Sequence, residues 1–361
     1  MAKKVILLGL LGWLVIVPAV LLLGGSLAGA EPYIATRTGF KCSVCHVNRT
    51  GGGKRTDFGL IYSQTNLSMK IVRSSDGPSF VNGRVNQVFS VGADFRAENV
   101  SIFEYEDSTG AKASSSNQSR VSEANVYLQM DMIPGVFALY ADQILSPISA
   151  NREFFGLLQD SNGNAYAKIG RMLLPYGLRL LDDAAFIRSR TGYTYNRHDL
   201  GAEVGLEPGP ISLMMNVTDT QLSAVGSVVF RRFRVGSSYG RSTQRSKEHT
   251  WGAFGGANFG RFTLLGEIDF ITEADIDRFA SLAELNVLIT RGFNLKATYE
   301  FFDRNTDVSN DRDGQERITL GIEPFLIQYL QIGLFYRINR FVPQALTENQ
   351  DELRLQFHGF F

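Results

Sequence analysis

The sequence predicts an all-β protein, an antiparallel outer-membrane barrel of about 16 strands preceded by a short segment of different character. Three observations carry that expectation. Apolar and polar residues alternate with a period of two over several long segments. The links between those segments mostly alternate long and short. Beyond the first thirty residues, no apolar run reaches the ~18–20 residues that a transmembrane helix requires.

The alternation is clearest near the C-terminus. Leu353, Leu355, Phe357, Gly359 and Phe361 fall on one face, with Glu352, Arg354, Gln356 and His358 on the other. Leu330, Ile332, Leu334, Tyr336 and Ile338 oppose Gln331, Gly333, Arg337 and Asn339 in the same way. In residues 121–132, Ala124, Val126, Leu128, Met130 and Met132 stand against Glu123, Asn125, Gln129 and Asp131. Each is a strand with an apolar and a polar face, and the apolar sets are expected to meet lipid.

Sixteen candidate strands begin between Arg84 and Gln350. The Ser-rich stretch 101–120 is expected to be a long link, followed by the tight Ile133-Pro134-Gly135. The tight 160–163 precedes the long 171–198, and 241–247, 303–313 and 341–349 are long and polar. A soluble two-sheet sandwich also alternates along its strands, but gives no reason for link length to alternate by side. Outer-membrane barrels do, with short periplasmic turns, long external loops and an even strand count.

The N-terminus reads as an export signal. Lys3 and Lys4 precede an apolar run from Val5 to Leu23, and Ala28-Gly29-Ala30 supplies a small-x-small exit before Glu31. Cleavage after Ala30 is expected; a retained anchor is the alternative. The chain has 36 Lys plus Arg and 36 Asp plus Glu, so loss of Lys3 and Lys4 leaves a charge of about minus two. That balance gives no nucleic-acid partner a footing.

Both cysteines of the chain lie in Cys42-Ser43-Val44-Cys45-His46. Two thiols at this spacing can each add to a vinyl group of one haem, and the following imidazole then reaches the iron from the proximal side. Thioether attachment outside the cytoplasm agrees with the export signal. A redox Cys-x-x-Cys would need a βαβ context that is absent here, and a zinc site would need a fourth donor. One covalent haem c is therefore expected, bound through Cys42 and Cys45, with His46 as proximal iron ligand. Met69 ranks first as distal ligand, with His198 and His358 as alternatives. Residues 31–82 form the haem segment. Gly51-Gly52-Gly53 within it is a turn rather than a phosphate loop, because no Lys-Ser/Thr follows. About fifty residues bury a haem poorly by themselves, so the segment is expected to plug the lumen of the barrel formed by 83–361.

A signal peptide, one Cys-x-x-Cys-His and a barrel together resemble the fused outer-membrane monohaem cytochrome–porins of the iron-oxidising type. Residue by residue, only Cys42, Cys45 and His46 carry that match. The chain also ends on a strand closing Phe360-Phe361, as such barrels do. The resemblance implies electron transfer across the outer membrane, with extracellular Fe(II) as a donor and a soluble periplasmic cytochrome or other carrier as partner. The alternative is a diffusion porin whose haem segment is a structural or sensory plug. The stretch from Arg171 through Pro175-Tyr176-Gly177 and Arg179 resembles a pattern of anion-type porins. By likeness to sixteen-stranded porins, the link after strand five, with Asp182, Asp183, Arg188 and Arg190, is a candidate constriction.

Overall fold

The computed structural model describes residues 31–70, 83–105, 112–244, 248–308, 313–342 and 349–361. The expected signal peptide and residues 71–82 of the haem segment lie outside them. Sixteen strands close into one antiparallel barrel in which each pairs with its sequence neighbours and β1 pairs with β16. The first eight are β1 (Phe89–Tyr105), β2 (Lys112–Ile133), β3 (Phe137–Ser146), β4 (Ala150–Gln159), β5 (Ala165–Leu173), β6 (His198–Leu206), β7 (Ile211–Thr218) and β8 (Gln221–Phe230). The rest are β9 (Phe233–Ser242), β10 (His249–Phe259), β11 (Phe262–Glu273), β12 (Ile276–Thr290), β13 (Phe293–Asp303), β14 (Gly314–Pro324), β15 (Leu330–Val342) and β16 (Gln350–Phe360).

The alternation read from sequence sorts the two faces of the wall. Val126, Leu128, Leu334, Leu353, Leu355 and Phe357 are exposed on the outside, whereas Glu123, Asn125, Gln331, Arg337 and His358 are buried inside. Aromatic residues bound the apolar exterior at two heights. Trp251 stacks on Phe270, which leans on Phe279, towards the long-loop end; Phe233 and Phe259 meet edge to face at the short-turn end. From Phe262 to Phe270 the strand runs ~26 Å at ~3.3 Å per residue. Tilted by ~40°, this is about 20 Å of height, near the ~25 Å apolar band of such barrels.

The structure corrects the reading of 101–120 as a link. β1 and β2 continue as paired strands from Ser101 to Tyr105 and from Lys112 to Arg120. The β2 half of this extension is polar on both faces, and in the β1 half Ile102 and Phe103 place apolar side chains on opposite faces, so alternation could not reveal it. It is held by a side-chain ladder: Asn99 Nδ2 donates to Ser119 Oγ at 2.8 Å, and Asn117 Nδ2 to Ser101 Oγ at 2.6 Å. Links at 147–149, 219–220 and 274–275 are also short although they lie at the long-loop end.

Residues 31–70 of the expected haem segment lie in the lumen. Its helices α1 (Pro32–Thr38), α2 (Cys42–Cys45) and α3 (Asp57–Tyr62) are followed by a wide helical turn over Ser63–Leu67. Pro32 starts α1, and Gly39 ends it in the left-handed conformation at φ 70°. The side chain of Thr56 caps α3 by accepting from Gly59 N. Polar residues tie the segment to opposite walls. Asn48 Nδ2 donates to Glu153 Oε1 at 2.6 Å, Arg49 pairs with Glu207 at 2.8 Å, and Arg37 Nη1 donates to Asn294 Oδ1 at 3.0 Å.

Leu334 lies mid-strand on the lipid face, so Leu334→Arg should cost ~2–4 kcal/mol in folding into bilayers, whereas lumen-facing Gln356→Arg should cost little. Equal losses in denaturant titrations would show that the faces are assigned the wrong way.

Candidate cofactor cavity and lumen constriction

The motif residues sit on one turn of chain. α2 begins at Cys42 and ends at Cys45, and the His46 backbone N–H closes it on Cys42 O at 2.9 Å. The hairpin that follows returns through three glycines, all with positive φ, so that Val47 N donates to Lys54 O and Thr56 N to Cys45 O. Two of these glycines also admit rings, Gly52 one from the inward link and Gly53 one from the wall. A Cβ on Gly52 would lie 2.4 Å from Tyr195 Oη, and one on Gly53 would lie 2.5 Å from Tyr140 Oη. The triple glycine is thus a turn that lets the hairpin seat against the lumen.

Cys42, Cys45 and His46 all line one cavity between the haem segment and the chain above it. It is partly open to solvent and lined by both the segment and the wall. One side is apolar, with Ile34, Leu178, Phe254, Phe325 and Phe360 in a single buried cluster. Guanidinium groups border the rest. Arg234 lies 3.8 Å from Cys42 Sγ, Arg179 covers the Tyr195 ring at 4.4 Å, and Arg55 covers the Phe360 ring at 4.0 Å. The two cysteines are free thiols, and burial pushes the Cys45 thiol up to about 12. Two thiols and an imidazole on the wall of one cavity, apolar on one side and bordered by arginines and by Glu31, Asp94 and Glu207, are a donor set that fits a covalently held porphyrin.

The expected distal ligands are placed differently. His358 lines the cavity, but its ring nitrogens are engaged, Nε2 with Asp94 at 2.8 Å and Nδ1 with Gln331 at 3.0 Å. His198 starts β6 with Nδ1 on Asn196 O at 2.9 Å and does not line the cavity. Met69 is also absent from the lining; its side chain is exposed and its N–H donates to Phe325 O at 2.7 Å. The structure brings Cys42, Cys45, His46 and His358 together, and leaves Met69 and His198 outside. Met214, on β7, lines the cavity and was not singled out in the sequence.

The β5–β6 link, residues 174–197, folds into the lumen and carries the short helix α4 (Phe186–Ser189). It is anchored on many strands. Leu178 N donates to Glu267 Oε2 at 2.6 Å, Gly177 N to Ser238 Oγ at 2.8 Å and Phe186 N to Glu300 Oε1 at 2.7 Å. On the opposite wall, Arg152 Nη1 reaches Asn196 Oδ1. Its charges serve mainly as fasteners: Asp182 pairs with Arg337, Arg188 with Glu267, and Asp183 accepts from Tyr195 N. The constriction expected from sequence is present, pinned by charges that would line the channel in an open pore. Arg179, Tyr195 and Tyr193 were not weighed as site residues. The Pro175-Tyr176-Gly177 run marked their neighbourhood, while nothing in the sequence marked Arg234.

No protein-family model matches this chain, and no curated protein is similar to it in sequence. Solved structures are similar in shape. An anion-selective porin from Comamonas acidovorans superposes with a TM-score of 0.59 at 12% identity, covering 76% of this chain and 100% of that one. OmpT of Vibrio cholerae lacking loop L8 gives 0.57 at 11% identity, over 76% and 99%. OprB of Pseudomonas putida gives 0.55 at 10% identity, over 83% and 100%. The fold is that of a porin. Together with the apolar outer band, it makes the chain an outer-membrane barrel; identities this low carry nothing about solutes or cofactors.

Two outcomes follow from the packing. Arg188→Ala leaves Glu267 as an unpaired buried charge and should destabilise the protein by ~3–5 kcal/mol; a loss below 1 kcal/mol in urea titrations would mean the pair does not hold the loop. In haem-free chain, Cys45 is 3% exposed whereas Cys42 is partly accessible. Iodoacetamide should therefore modify Cys42 first, and equal rates would contradict the seating of α2.

Proposed function

We propose that the protein exchanges electrons across the outer membrane through one haem c, attached at Cys42 and Cys45 with His46 as proximal ligand. The observation that carries this reading is the convergence of those three side chains on one cavity inside a plugged lumen. The bound group would supply one-electron Fe(III)/Fe(II) chemistry. The chain's own residues hold, cover and insulate. α2 fixes the two thiols and the imidazole on one wall, while Ile34, Phe254, Phe325 and Phe360 keep water from the opposite face. Arg55, Arg179 and Arg234 place positive charge around the pocket, which favours a reduced, less positive centre over an oxidised one.

The position of the segment suits two partners. Arg49 bonds to Gly163 O and Gln159 at the β4–β5 turn, and Met69 to the β14–β15 turn. The segment therefore sits at the short-turn, periplasmic end, open to a soluble periplasmic carrier. An extracellular partner, Fe(II) by the resemblance, would enter from the long-loop end. A diffusion porin with a haem-bearing plug shares the barrel and is the second reading. The filled lumen favours the first, because a porin needs an open path.

The test is spectroscopic and functional. Purified outer-membrane protein should show a haem absorption spectrum that changes on Fe(II) addition. Cys45→Ala with His46→Ala should abolish the change while the barrel still folds. Unchanged electron transfer in that variant would remove the haem route. In planar bilayers the intact protein should conduct poorly, and large single-channel conductance would favour the diffusion porin.

A further inference from the structure

A second cavity, partly open to solvent, lies at the long-loop end between 174–197 and the wall of β8 to β12. It is a polar vestibule. Arg278 pairs with Glu273, whereas Arg190 and Arg197 are bonded to the neutral oxygens of Gln315 and Thr220. Glu248 lines the vestibule too, but these two guanidiniums have no carboxylate partner among the described residues and suit a small anionic solute.

Three residues separate this vestibule from the inner cavity. Leu174 lines both, Tyr176 lines the inner cavity and Tyr193 lines the vestibule. They form a buried apolar cluster of their own, and the two rings stack at 4.3 Å with an interplanar angle of 12°. Their rims are tied to the wall, Tyr176 Oη donating to Asp269 Oδ1 at 2.8 Å and Tyr193 Oη to Gln221 Oε1 at 3.3 Å. Their backbones share one fastener, Arg188 Nη1, which donates to Tyr176 O at 3.1 Å and more weakly to Tyr193 O.

The wall is shaped to receive both rings. A Cβ on Gly240 would lie 1.9 Å from Tyr193 Oη, and a Cβ on Gly252 would lie 2.8 Å from Tyr176 Oη and 2.2 Å from Asp269 Oδ1. Neither glycine has a positive φ, so backbone conformation does not demand them there; the rings do. Stacked, buried rings held at rim and backbone have little room to yield.

We propose that Leu174, Tyr176 and Tyr193 form a septum. It stops a small anionic solute in the outer vestibule and sets how near that solute comes to the inner cavity. This rests in part on the electron-transfer reading: a ferrous chelate in the vestibule would give up one electron across the septum to the ferric haem. The donor iron would be oxidised and the iron of a haem held at Cys42, Cys45 and His46 reduced, with the tyrosines unchanged. The barrier itself stands or falls without haem.

Two arms separate these statements. In cells that do not attach haem, Cys42 is a thiol in the inner cavity, and a membrane-impermeant maleimide is added from outside. Labelling should be slow in the parent chain and in Tyr193→Phe, and many-fold faster in Tyr193→Ala and in Gly240→Ala. Fast labelling of the parent, or no gain in either opened variant, overturns the septum. In haem-loaded cells, haem reduction by external ferrous citrate is followed. Tyr193→Ala should raise its rate by letting the chelate approach. Faster labelling without faster reduction supports the septum and overturns the outer-donor route, so the two failures are told apart.

Discussion

In hydrocarbon no backbone N–H or C=O can be left without a partner, and a sheet survives there only if its last strand returns to its first. Here that return is the pairing of β1 with β16 from Asp94–Phe360 to Glu104–Gln350. It is finished by reciprocal bonds between Ala93 and Phe361 at 2.9 and 3.0 Å. Closure with a period-two alternation forces every second side chain inwards. Because the outer positions must be apolar, the inner ones carry the polar residues, and the lumen becomes a place where charges must find partners or water. Arg152 with Asp142 and Glu123, and Lys168 with Glu203, are such buried pairs.

That lumen explains why a small segment and one loop can be seated so firmly. The segment's Asn48, Arg49 and Arg37 and the loop's Asp182 and Arg188 each meet a complementary group already placed by the wall. The apolar part of the seat comes from positions that break the polar rule. Phe254, Leu265 and Phe360 turn inwards against Ile34 and Leu178, giving the cavity its dry side. The Cys-x-x-Cys-His residues and the proposed septum therefore occupy successive levels of one bore, the first near the short turns and the second nearer the loops.

Much of this was legible in the sequence. Strand number and facing followed from alternation and link length, since a wall between lipid and water writes its two faces directly into the residue pattern, whereas the inward loop was expected only by likeness to sixteen-stranded porins. Reading the extension of β1 and β2 failed because its β2 half, exposed from Ser114 to Arg120, has no apolar face for alternation to mark. Cys42, Cys45 and His46 were marked by their spacing, which is the spacing that haem attachment would require, and the structure sets all three on one cavity. Met69 was favoured through nearness in sequence, whereas the cavity is built from chain ends and strands far apart, such as Met214 and His358. Tyr193 and Gly240 were invisible for the same reason: their fit exists only once a loop and a wall strand meet.

The central claim is that the plug carries a covalently bound haem. Lys41 and Arg49 flank the motif, so trypsin should release Cys42–Arg49 as one peptide from protein purified out of the outer membrane. The account predicts that this peptide carries the mass of one haem, attached through both sulfurs, and cannot be alkylated. Recovery of the peptide unmodified, with two alkylatable thiols, from cells that attach haem to their other c-type cytochromes would contradict it.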